Sequence, residues 1–212
     1  MRAMSPLQER SLSEFADLIA STAPTPGGGS AAAYAGALGA SLVGLVGRIA
    51  LRHDSAREQA VGELVEEADT LRRHFLRLVE DDSAAFERVS AAMRLPKATA
   101  EEHGTRSEAL QAALLGASRV PLETAKIARR LLNLCERVVD HATSAAVSDA
   151  GVGALFADTA LRGAALNVMI NIAALKDAGQ VKALSEELDQ ALEGTEAVRR
   201  GVIDRVEARI AR

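Results

Sequence analysis

An all-α fold is what this sequence predicts: a bundle of long antiparallel helices around one buried Gly/Ala-rich helix. Three observations carry the prediction. Hydrophobic residues make up 48% of the 212 positions but aromatics only 2%, with no Trp and a single Tyr34. Core bulk must therefore come from Leu, Val, Ile and Ala, which beside many Glu and Arg is the composition of packed helices rather than sheets. Apolar residues recur at three- and four-residue steps over long stretches. Of the five prolines, three lie before residue 27, so long helices are free to run afterwards. The length suits a single domain spanning residues 1–212.

The elements follow in order. Ser11-Leu12-Ser13-Glu14 is a capping box opening a short helix that ends near Ser21. The segment Pro24-Thr25-Pro26-Gly27-Gly28-Gly29-Ser30 then stiffens, loosens and runs into an Ala-rich stretch. A helix is expected from about Gly29 to His53, with Ser30 as its N-cap. Its small residues Ala33, Gly36, Ala37, Ala40, Gly44 and Gly47 recur at helical steps, which lets other backbones approach closely. Ala31–Gly47 is nearly all apolar but short for a membrane span and without interfacial Trp, so a buried central helix is expected and no membrane contact.

A long amphipathic helix is expected from about Ser55 to Met93, on the spacing of Val61, Leu64, Ala68, Leu71, Phe75, Val79, Phe86 and Val89. Leu95-Pro96-Lys97 ends it. Ala98–Thr105 reads as a polar connection, with Thr99 as a cap ahead of Glu101 and Glu102. The next helix covers about Arg106–Val139, kinked or divided at Pro121. A break at Asp140–Ser144 precedes an Ala-rich helix over about Ala146–Lys176. One last helix is expected from about Val181 to Ile210.

Several function classes lose support. The 25 basic and 29 acidic residues give a net charge of −4 without a basic cluster, and stacking aromatics are scarce, which argues against nucleic acid. The single Cys135 allows no intrachain disulfide and suits a reducing, cytoplasmic setting. His53, His74, His103 and His141 are scattered without ligand spacing, so no metal site is expected. No Ser-His-Asp order or nucleophile elbow occurs.

Four features are candidates for chemistry. The Pro26–Ser30 loop offers free backbone N–H groups at a positive helix end, or else only lets two helices pack closely. Asp81 and Asp82 interrupt an apolar helical pattern, and Leu78, Val79 and Phe86 make Asp82 the more inward unless both are solvated. Asp149 is either a first-turn acid facing the helix dipole or an inward carboxylate. Asn167 and Asn171 share one side of an apolar helix, where buried amides pair with neighbouring helices or with a polar heterocycle.

Together the blocks Pro24-Thr25-Pro26-Gly27-Gly28-Gly29-Ser30-Ala31-Ala32-Ala33, Asp82-Ser83-Ala84-Ala85-Phe86 with Met93-Arg94-Leu95-Pro96-Lys97, Val120-Pro121-Leu122, and Ser148-Asp149-Ala150-Gly151-Val152-Gly153 with Asn167-Val168-Met169-Ile170-Asn171 resemble the cyclodeaminase/cyclohydrolase family. The resemblance covers nearly the whole chain. It implies an all-helical homodimer acting on one-carbon adducts of tetrahydrofolate, without metal or prosthetic group. It also implies Asp82 and Asp149 as the catalytic pair, lining one cleft with the glycine loop. One would transfer protons while the other holds the pterin edge or the cation. Pro26, Gly27, Gly28, Gly29, Ser30, Asn167 and Asn171 would bind substrate, and Lys97 or Arg94 would meet the glutamate carboxylates. One departure is Ala142-Thr143, where relatives carry Gly-Asn. The transferase domain of bifunctional relatives has no counterpart here, which implies a stand-alone protein. The competing reading is a non-catalytic folate-binding or helical dimerisation protein of the same fold.

Overall fold

The computed structural model describes residues 6–53 and 58–211. After a 3₁₀ turn at Leu7–Glu9, seven α-helices follow: α1 Leu12–Ala20, α2 Gly28–His53, α3 Glu58–Met93, α4 Ala100–Val138, α5 Val147–Ile172, α6 Ala178–Leu192 and α7 Thr195–Ile210. No strand occurs among the described residues. The fold is all-α, as the composition predicts.

The register of the glycines and the interhelical bonds fixes the topology. Gly29 lies against Asp82, Gly36 against Phe75 and Gly47 against Val65, so α2 and α3 run antiparallel. Gly28 meets Asn167, Gly163 meets Ala32 and Gly39 meets Gly153, so α2 and α5 do too. Ion pairs from Glu67 to Arg137 and from His74 to Glu123 run between antiparallel α3 and α4. Asn171 donates to the Ala117 carbonyl and Gln111 to that of Ala174, which sets α4 against α5. The four long helices form an up-down-up-down bundle, and α6 and α7 pack on its α4–α5 side.

The core of this bundle is largely aliphatic, filled by Leu71, Ile127, Leu131, Leu132 and Leu161 around the Phe75 ring, with small residues of α2 and α5 between them. Gly36 shows why α2 is so poor in bulk: a Cβ there would fall 2.4 Å from the buried Phe75 ring. Gly44 is different. Its nearest neighbour is the far end of the exposed Arg48 side chain, held only by a surface ion pair with Asp69. α2 is long and apolar enough to cross a membrane by length and composition, with mean hydropathy 1.5, yet α3, α4 and α5 pack around it. One face stays open along Ser41, Leu45 and Arg48.

Several boundaries differ from expectation, each for a local reason. The polar stretch at Ala98–Thr105 is largely the start of α4, because Thr99 and Glu102 form a reciprocal capping box that begins the helix at Ala100. Pro121 neither divides nor ends α4, and the proline is buried inside the helix. The expected last helix is two, because Gly194 turns with φ 72° between α6 and α7. Ser55, the expected start of the third helix, lies outside the described residues. The capping box at Ser11 and Glu14 and the break after Val138 are where the sequence places them.

Candidate active site

The first turn of α2 leaves its leading N–H groups without intrahelical partners, and no acidic residue of that turn serves them. A carboxylate from another helix does. Asp82, two-thirds of the way along α3, presses against Gly29 so closely that a Cβ at that position would sit 2.1 Å from Asp82 Oδ1. Gly29 is therefore glycine because the carboxylate occupies the space of its side chain.

Ser30 is not the N-cap, since α2 begins two residues earlier at Gly28. It sits fully buried in the first turn, and its hydroxyl reaches α3 instead. Its Oγ lies 2.9 Å from Asp82 Oδ2, 3.1 Å from the Val79 carbonyl and 3.3 Å from Ser83 Oγ. Burial pushes the Asp82 carboxyl above its usual 3.8, and the bonds from the Ser30 hydroxyl and N–H pull it back only in part. The result is a half-buried acid that holds its proton more tightly than a surface aspartate. Asp81, its neighbour, is exposed, so Asp82 is the inward member of the pair.

Asn167 closes the third side. Its amide lies against Gly28, with Nδ2 3.6 Å from where a Cβ would be. Nδ2 donates to the Gly163 carbonyl one turn back, which leaves Oδ1 to accept. Asn171, one turn further, is tied to α4 by its 2.8 Å bond to the Ala117 carbonyl. Pro26, buried and joined to Thr25 by a cis peptide, leads into the turn. Beside this cluster a groove of about 640 Å³ runs along α3, walled by Pro24, Thr25, Phe86 and Arg94.

The structure thus brings together Gly28, Gly29, Ser30, Asp82 and Asn167, with Asn171 adjoining. It does not bring Asp149. That residue stands in the first turn of α5, eighteen residues from Asn167 and roughly 27 Å away along the helix. The two aspartates do not line one cleft within a single chain. Lys97 is exposed beyond the end of α3 and does not line the groove, whereas Arg94 does. Ser83 was missed by the sequence reading, although it follows Asp82 directly. Its relevance depends on the pairing of α2 with α3, which helical periodicity does not encode. Among the described residues no cluster of His, Cys, Asp and Glu is fit to hold a metal ion.

The family model for formiminotransferase-cyclodeaminase matches residues 11–190. The chain belongs to that family. A methenyltetrahydrofolate cyclohydrolase of Methylorubrum extorquens is 40% identical over 182 residues, covering 85% of this chain and 86% of the relative. The formimidoyltransferase-cyclodeaminase of Gallus gallus is 34% identical over 177 residues, and the match spans 32% of that longer protein. Among solved structures, a formiminotetrahydrofolate cyclodeaminase from Thermotoga maritima superimposes with a TM-score of 0.79 at 26% identity, covering 97% of this chain and 98% of the other.

Proposed function

We propose that this protein is an enzyme of folate one-carbon metabolism that opens the methenyl bridge of 5,10-methenyltetrahydrofolate by hydrolysis. The Asp82 carboxyl, held on Gly29 and Ser30 with its proton affinity raised, is the observation that carries the reading. Similarity over most of the length of a cyclohydrolase of comparable size supports it. Cyclodeamination of 5-formiminotetrahydrofolate is the second reading, supported by the end-to-end match to the Thermotoga structure.

Both reactions need what this cluster offers. In hydrolysis, water adds to the bridging carbon of the delocalised N5–C–N10 cation and loses a proton. The C–N5 bond then breaks as the hydroxyl on the former bridge carbon gives up its proton and N5 takes one up, leaving a formyl group on N10 and one proton released overall. In cyclodeamination, N10 attacks the formimino carbon and gives up its proton, the departing nitrogen takes up that proton and one more from solvent, and the C–N bond to it breaks to release ammonia and the methenyl cation. Each path needs one group to shuttle a proton and a negative charge near the cation. Asp82 takes the shuttle role, because a raised proton affinity brings it nearer to working pH. Asn167 Oδ1 and the α2 backbone N–H groups would hold pterin or carbonyl edges, and Arg94 would meet the glutamate carboxylates across the groove.

The folate adduct is the only small molecule the reading requires; no prosthetic group enters it. A homodimer is part of the proposal. α5 carries apolar residues on every side yet leaves Leu166, Met169 and Ile170 67%, 55% and 71% exposed, a pattern that fits burial in an assembly. A cytoplasmic setting fits the one free thiol, Cys135, buried and pushed up to about 12. The decisive assay follows methenyltetrahydrofolate by absorbance with each adduct. Enzyme-dependent loss of signal identifies the cyclohydrolase, and a rise from the formimino adduct identifies the cyclodeaminase. No change with either adduct would refute the proposal.

A further inference from the structure

Ser30 has no exposed surface, so its hydroxyl has no face to offer a substrate. It also behaves unlike other hydroxyls inside the helices. Ser41, Ser118, Thr124, Thr159 and Ser185 each donate to the carbonyl four residues back on their own helix. Ser30 Oγ instead reaches across to α3, where three oxygens of different character surround it. These are Asp82 Oδ2 at 2.9 Å, the Val79 carbonyl at 3.1 Å and Ser83 Oγ at 3.3 Å. A hydroxyl has one proton to donate and two lone pairs with which to accept. A carbonyl only accepts, and a carboxyl turns from acceptor to donor when it takes up a proton.

We propose that Ser30 is a positioning residue whose hydroxyl turns between Asp82 and the Val79 carbonyl, so that the carboxyl stays bonded whether it holds its proton or has given it up. This role rests on the folate reading and deepens it, because a shuttle must lose and regain one proton in every turnover.

When Asp82 is ionised, Ser30 donates to Oδ2 and accepts from the Ser83 hydroxyl. The Val79 carbonyl is still served, because Ser83 N–H bonds it within α3. When Asp82 takes a proton on Oδ2, that proton points at Ser30 Oγ, and the Ser30 hydroxyl turns onto the Val79 carbonyl. Rotation about one C–O bond connects the two patterns, and no heavy atom moves. Each state leaves every oxygen of the cluster with a partner, which matters because an unpaired buried polar group is costly. A packing role alone would be met by the Val79 carbonyl, and would not place a carboxyl within reach of the same hydroxyl. No charged side chain of another helix shares the cluster. α2 presents Gly29 and Ser30, α5 the neutral Asn167, and α4 packs Leu114 and Ala117 on Ala85 and Val89. The 3₁₀ turn meets α3 at Glu80, which accepts from Gln8 N–H. On α3 itself the residues three and four away are Leu78, Val79, Ala85 and Phe86, and adjacent Asp81 is exposed. Burial and the two Ser30 bonds, from hydroxyl and N–H, are what act on the Asp82 proton.

The pH profile of Ser30→Ala, beside a carbon NMR titration of the Asp82 carboxyl itself, tests this. Without the hydroxyl, the ionised carboxylate loses one of its two Ser30 donors and its proton is held more tightly still. The acid limb of kcat/KM and the NMR midpoint of Asp82 should both move to higher pH. Turnover should fall about 10–100-fold, the worth of one hydrogen bond to a charged group, with KM little changed. Ser30→Cys keeps a weaker donor in the same place and should fall between wild type and Ser30→Ala in each readout. It carries the test alone if the alanine variant does not fold. A merely structural hydroxyl would lower the melting temperature and leave the Asp82 midpoint in place, and a substrate contact would act through KM. An unmoved midpoint in either folded variant, or a loss confined to KM, would overturn the role of Ser30 while the folate reading stands. A wild type inactive on both adducts would refute the folate reading, and the NMR titration would still decide for or against the turning hydroxyl.

Discussion

The two ends of α2 use glycine for opposite purposes. In the body of the helix, Gly36 makes room for the buried Phe75 ring and Gly47 for Val65, so the absent side chains become core packing. In the first turn, Gly29 makes room for a charged group, the Asp82 carboxylate, at the end where unpaired N–H groups and a positive dipole await it. One residue type on one helix thus builds stability at one place and a polar cluster at the other. Variants at the two places should fail in different ways.

The largest expected effect is on rate. Asp82→Asn keeps shape and removes basicity, so turnover should fall by about 10²–10⁴-fold. Its melting temperature should match or exceed that of the wild type, since a buried carboxylate's desolvation is relieved. Next comes Gly29→Ala, whose methyl group would overlap Asp82 Oδ1 and displace it. A misplacement of about 1 Å costs on the order of 10²-fold in rate. Gly28→Ala should stay near wild type, because its methyl group would meet Asn167 at an ordinary 3.6 Å. A tolerant Gly29→Ala would erase the distinction between the two ends.

Packing variants should move stability instead. Gly36→Ala drives a Cβ into Phe75 and should cost about 1–3 kcal/mol in denaturant unfolding, with turnover per folded molecule retained. Gly44→Leu should cost less, because it meets the exposed end of Arg48, and moving that aside loses only a surface ion pair with Asp69. The smallest effect is in pH dependence. The folded Asp82 carboxyl titrates above the unfolded one, so the native state holds the proton more tightly. Its contribution to stability is complete below the usual 3.8 and is lost as pH rises through the raised value. The melting advantage of Asp82→Asn should therefore open as pH rises through this window and close in acid. An advantage that widens in acid would contradict the assigned shift.

How much of this was legible in the sequence follows from the range of each interaction. Local signals read well. The Ser11–Glu14 box, the small-residue spacing of α2 and the inward turn of Asp82 all rest on neighbours within one turn or on helical period. The long α4 was misjudged because Thr99 and Glu102 begin it earlier than a polar stretch suggests, and because the surrounding bundle keeps Pro121 inside one helix. The split at Gly194 was missed although the signal, one glycine in a charged run, was present. At the site, the glycine turn and Asp82 were both picked out, but their contact was not. It depends on the register between α2 and α3, and that emerges only when Phe75 meets Gly36. Asp149 shows the converse, since a motif places it with the others while the single chain holds it at the far end of α5.

The most direct test pairs turnover with thermal melting on two proteins, Asp82→Asn and Gly36→Ala, assayed side by side with methenyltetrahydrofolate. The account predicts a crossed pattern, in which Asp82→Asn melts like the wild type and is nearly inactive, while Gly36→Ala melts several degrees lower and is active below its transition. Wild-type turnover in Asp82→Asn, or a parallel loss of turnover and melting temperature in that variant, would contradict it.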